Sequence, residues 1–164
     1  MSRSGYSDEY SPLWRGSVER AIRGKRGQAF LRDLLAALDA MPEKTLAADS
    51  LVTAEGEFCT LGVLGAARGI DLETLDPDDP EQVAKAFGIA EAMAREIVFE
   101  NDEHLDDDYQ WVDVEICGPM RPWNPEWGRH RRHVRVQRQD GPQRRWARMR
   151  AWVVANLREE ASHA

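Results

Sequence analysis

The chain has 164 residues, of which 42% are hydrophobic and 31% charged, and its net charge is −7. That length suits one hydrophobic core, and apolar residues recur in ordered patterns, which excludes a disordered chain. Apolar runs fall short of the roughly 18 residues of a membrane span, and two cysteines, Cys59 and Cys117, are too few for a disulfide framework. No secretory-type apolar stretch opens the sequence, so a reducing cytoplasm is the expected compartment.

Residues 1–11 are polar and turn-rich and predict a flexible arm. The remainder, 12–160, predicts a single globular domain. It comprises a helical part (12–105), a β/loop insertion (110–140) and a C-terminal helix (142–160). The first helix spans about 11–24, with Ser11 as a cap, Pro12 in the first turn, and Leu13, Trp14, Val18 and Ile22 at helical spacing. A second runs from about Gly27 to Ala40 on the stripe Phe30, Leu31, Leu34, Leu35 and Leu38.

Next comes GEFCTLGVLGAARG (56–69), which predicts a helix from about Phe58 to Arg68 closed by Gly69. A thiol at a helix start is one way to lower a cysteine pKa, and a trio of Cys59, His104 and Asn101 can be written down as nucleophile, base and orienting group. No glycine-flanked hydrolase signature surrounds Cys59. Packing explains more residues, because Cys59, Gly62 and Ala66 share one helix face and predict a tight helix crossing with Cys59 buried.

In DPDDPEQ (76–82), Asp79 is an N-cap, Pro80 a first-position proline, and Gln82 sits where a capping box wants it. A helix over 80–87 stops at Gly88, and another follows from about Ala90 to Asn101. The pair has the spacing of a helix-turn-helix. Its outward positions would be Ala90, Glu91, Ala92, Arg95 and Glu96, where glutamates repel phosphates and only Arg95 could read a guanine edge. The acidic run 101–108 lacks the order of a calcium loop and predicts a solvated segment. No metal and no cofactor is expected.

From residue 111 the period changes to two. WVDVEI (111–116) and HVRVQR (133–138) predict strands, joined by a loop holding three prolines, Met120, Trp123 and Trp127. Arg131, His133, Arg135 and Gln137 would emerge on one strand face, with Val134 and Val136 inward. A last helix from Pro142 carries Trp146, Met149, Val153 and Leu157 on its buried side. The expected fold class is therefore mainly α (α+β): a small helical bundle with a two-stranded, hairpin-like insertion before the C-terminal helix.

Charge is divided along the chain. Residues 71–115 hold sixteen acids against two bases, and 121–158 hold eleven arginines against two acids. Either the halves pair internally or they present two faces to different partners. Tryptophan and arginine are enriched at binding hot spots, so Met120, Trp123, Trp127, Arg129, Arg131, Arg132 and Arg135 form the expected interaction surface. The same arginines, interleaved with tryptophans, would also suit nucleic acid.

Four runs together, GEFCTLG (56–62), IVFENDE (97–103), VDVEICG (112–118) with its loop to WGRH (127–130), and RWARMRAWV (145–153), resemble small proteins of tailed bacteriophages and prophages. The resemblance covers most of the chain from about Gly24. That family has no assigned activity, so it lends no functional residue. It implies a bacterial cytoplasm and an accessory protein that binds a host or phage protein complex, anti-defence proteins included. The leading expectation is a non-enzymatic interaction module, with a homodimer among its arrangements. The alternatives are a nucleic-acid binder using the arginine-rich strand and the C-terminal helix, and a cysteine enzyme centred on Cys59.

Overall fold

The computed structural model describes residues 4–5, 11–104, 109–115, 131–138 and 140–158. Among these residues, six α-helices and a two-stranded antiparallel sheet make the protein mainly α with a small β part, as the two periodicities predict. The chain divides into two compact units, a helical one (Met1–His104 with Asp140–Ala164) and a ladder unit (Leu105–Gln139).

The helical unit begins with α1 (Ser11–Arg23) and α2 (Lys25–Ala40), separated by Gly24 alone. A Cβ on Gly27 would run into the Ala21 carbonyl oxygen and come within 2.9 Å of that of Ile22, so glycine is what lets α2 start so close to α1. Beside it Gln28 is buried. Its Nε2 donates to the Ile22 carbonyl at 2.8 Å and to the Asn156 carbonyl at 3.0 Å, and its Oε1 accepts from the Arg158 amide. One side chain thus ties together α2 and the ends of α1 and the last helix.

Phe30, Leu31, Leu34 and Leu38 form the buried stripe of α2. Burying each such side chain contributes about 1.5–3 kcal/mol. Against them pack α3 (Thr60–Ala67) and α6 (Pro142–Asn156), the latter through Met149 and Val153, both fully buried. The tetrad α1, α2, α3 and α6 is completed by α4 (Pro80–Phe87) and α5 (Glu91–Val98). Phe87 of α4 meets Phe30 edge-on at 6.3 Å between ring centres.

Local chemistry sets the helix ends. Asp79 caps α4, accepting from the amides of Glu81 (3.1 Å) and Gln82 (3.0 Å), and Gly88 closes it at φ +67°. Gln82 does not complete the capping box. Its Oε1 accepts instead from the amide of Asp76 at 2.7 Å, so it braces the preceding loop. The helix expected to run to Asn101 ends at Val98 and continues as a π-helical turn, Phe99–Glu103.

In the ladder unit β1 (Tyr109–Glu115) pairs antiparallel with β2 (Arg131–Gln137), Val112 opposite Val134. The alternation sorts Tyr109, Trp111, Asp113 and Glu115 with Arg131, His133, Arg135 and Gln137 onto one face. The other face takes Gln110, Val112, Val114, Arg132, Val134 and Val136.

Candidate interaction surface

Cys59 is the cap residue of α3 rather than part of its first turn. It is buried, its Sγ accepts from the Gly62 amide at 3.4 Å, and its own amide donates to Leu51 at 3.2 Å. Asn101 does come close, but for a structural purpose. Its Oδ1 accepts from both the amide (3.2 Å) and the hydroxyl (2.6 Å) of Thr60, and its Nδ2 donates to the Ala47 carbonyl at 3.1 Å. His104 faces Glu100, 3.3 Å away, and the edge of Phe99. Asn101 is thus engaged with Thr60 and Ala47, and His104 with Glu100 and Phe99.

The small residues behind Cys59 act differently from expectation. A Cβ on Gly62 would collide with the Leu51 carbonyl oxygen and one on Gly65 with Leu72 and Phe87, while Ala66 is exposed. Gly62 therefore admits a loop backbone and Gly65 two side chains. The expected stripe through Ala66 is not a packed face.

The α4–α5 pair, two contacting helices joined through Gly88, commits two of its expected outward residues inside the helical unit. Glu96, expected outward, is buried, and its Oε1 accepts from Arg15 at 2.7 Å. Arg95 is held by Glu91 (2.7 Å), by the Ser4 carbonyl (2.9 Å) and over the Trp14 ring. Ser4 in turn is buried and gives its amide and hydroxyl to Glu103.

Arg145, Arg148 and Arg150 of α6 are also committed, to carbonyls and to carboxylates. Arg145 donates to Leu46 O at 2.8 Å and lies 2.7 Å from the buried carboxylate of Asp140. Arg148 donates to the carbonyls of Glu100 and Asn101 and to Asp140. Arg150 forks onto Asp39 at 2.6 and 3.1 Å, which holds the Asp39 carboxyl below its ordinary range and raises the guanidinium. Burial pushes the Glu100 carboxyl up, with Glu96 adding to the rise and His104, Arg148 and Arg15 opposing it.

The described ladder face is exposed and chemically varied. Trp111 is 62% exposed and stacks on His133, ring centres 5.2 Å apart and planes 2° from parallel. His133 Nδ1 lies 2.7 Å from Asp113 Oδ1, and Arg135 sits 3.9 Å over the ring of Tyr109. The cross-strand neighbours thus fix two flat, water-facing surfaces, an indole–imidazole pair and a guanidinium–phenol pair. The described part of the face is mixed in charge, with Asp113 on β1 and Arg135 on β2.

Of the residues singled out from sequence, Arg135 has its place on this face. Register puts Arg131 there too, opposite Glu115, and Arg132 on the valine face opposite Val114. Met120, Trp123, Trp127 and Arg129 lie outside the described residues, as do the side chains of Arg131 and Arg132. Trp111, His133 and Tyr109 were missed as site residues. The alternation of WVDVEI signals a face, but only the register brings Trp111 beside His133.

Among the described residues no group of three or more His, Cys, Asp or Glu could hold a metal ion, and no helix is long and apolar enough to cross a membrane. No family model matches the chain, and no curated protein or solved structure matches it significantly.

Proposed function

We propose that the protein is a non-enzymatic interaction module whose two-stranded ladder engages a partner protein. The observation that carries this reading is Trp111, a large aromatic side chain left 62% exposed and held flat by His133. Pre-ordered aromatics and arginines lose little freedom on binding, which is why such residues dominate interface energetics. The mixed charge of the face favours a protein over a nucleic acid, since Asp113 would meet phosphates with repulsion. The resemblance to phage and prophage proteins supports a bacterial host complex, one of host defence included, as the partner.

The test compares the immobilised protein with a Trp111→Ala/Arg135→Ala variant in bacterial lysate. A partner retained by the first and lost by the second, with the helical circular dichroism unchanged, supports the reading. Equal retention by both removes it. The second reading, single-stranded nucleic acid stacked on Trp111 and Tyr109, is favoured by the same aromatic pairs. It requires a mobility shift at low salt that fades steeply as salt is added.

A further inference from the structure

Where α1 turns into α2, facing the turn between α4 and α5, the helical unit holds a pocket of about 260 Å³. Ala21, Ile89 and Met93 give it an apolar floor, and Arg20, Lys25 and Arg26 line it as cations, with no carboxylate among the lining residues. Lys25 and Arg26 are exposed, and among the described residues neither has a carboxylate within ion-pair distance.

Fold chemistry explains only part of this charge. Arg20 and Arg23 lie in the last turn of α1, where cations complement the helix dipole, and Arg23 also meets Glu19 at 3.5 Å. Lys25 and Arg26 open α2, where the dipole favours anions, and the cap residue Gly24 offers no side-chain acceptor. Two cations therefore stand where they weaken their own helix, beside an apolar hollow, in a chain of net charge −7. Local rules are broken most often where a binding surface needs it.

We propose that this pocket docks an acidic segment of a partner protein through one apolar side chain. That side chain seats over Ala21 and Ile89, and carboxylates flanking it meet Arg20, Lys25 and Arg26. The hollow suits one leucine- or phenylalanine-sized group, and its rim has the sign opposite to the segment it takes. The inference rests on the helical unit alone and is independent of the ladder.

The experiment titrates the isotope-labelled full chain with a short synthetic peptide, one leucine flanked on both sides by Asp and Glu, and follows backbone amide shifts at low ionic strength. Saturable shifts confined to residues 20–27 and 89–93 are expected. Lys25→Glu/Arg26→Glu should weaken binding by roughly tenfold or more while its thermal midpoint stays equal or rises, which separates lost docking from lost folding. Replacing the peptide leucine by alanine should weaken binding comparably. No saturable shift, or equal binding of the alanine peptide, overturns the proposal. So does a single-stranded oligonucleotide of equal charge displacing the peptide at lower concentration, which would assign the site to phosphate.

Discussion

Asn101 is 2% exposed and satisfies the start of α3 and the Ala47 carbonyl at once. Its partners lie 41 and 54 positions away, so no local pattern announces the role. Gln28 is similar, reaching Asn156 across 128 positions. Polar residues of this kind look like solvated surface in a sequence, because only tertiary contact removes their water and supplies the replacement bonds. Glu100 shows the cost of such burial. Its folded pKa is raised above the ordinary value of 4.5 by desolvation. Folding then holds the proton to higher pH than the unfolded chain does. The favourable contribution is complete below that ordinary value and is lost as pH rises through the folded pKa. Among charged groups, His104, Glu96, Arg148 and Arg15 all act on the carboxyl, Glu96 raising its pKa and the other three lowering it. Glu100→Gln should therefore raise the thermal midpoint at pH 7 and flatten its dependence between mildly acidic and neutral pH. A lower midpoint at pH 7 would show that the pairing outweighs the desolvation.

Helices and their stops were largely readable because they depend on neighbours. Asp79, Pro80 and Gly88 bracket α4, and the stripe of α2 predicts its buried face. What misled was α3, where glycine spacing suggested a helix crossing and the close neighbour of Gly62 is the Leu51 carbonyl in a loop. Spacing shows which residues are small on a face, and not what approaches that face. For the ladder, alternation assigned Arg135 to an exposed face, yet the stacking partner Trp111 depended on register, which period two alone leaves free. The glycines give a paired prediction. Gly62→Ala puts a methyl group against a backbone oxygen and should destabilise by about 1–3 kcal/mol. Gly16→Ala lies in α1 with open space around the new Cβ and should stabilise by about 0.5–1 kcal/mol. Urea unfolding of both variants checks the contrast, and equal signs would contradict it.

Across the molecule, the acidic middle and the basic end left open whether they pair with each other or face different partners. Arg145, Arg148 and Arg150 of α6 serve carbonyls of Leu46, Glu100 and Asn101 and the carboxylates of Asp39 and Asp140. Acids such as Asp71, Asp76 and Asp79 are engaged in turns and caps. One arrangement bears on modularity. A single Arg148 nitrogen reaches Asn101 O at 3.2 Å and Asp140 Oδ2 at 3.3 Å, so the two points where the chain leaves and re-enters the helical unit lie within one side chain's span. Replacing 105–139 by a short Gly/Ser linker should then leave the helical unit folded, with a cooperative melt within a few degrees of the parent. Partner capture by the ladder should vanish. A non-cooperative melt would show that the helical unit needs the insertion.

The position of α6 has a consequence for the order of synthesis. The Leu46 amide donates to Pro142 O, and Trp146 Nε1 donates to Leu38 O, so the last helix closes the core faces of the second. On the ribosome α1 to α5 emerge first, and the 35 residues of 105–139 must follow before α6 appears. At about 5–20 residues per second, that interval is on the order of several seconds. During it the part of α2 that α6 covers, Leu38 and Gln28 included, stays open to water. A stall within the insertion prolongs that exposure until α6 arrives.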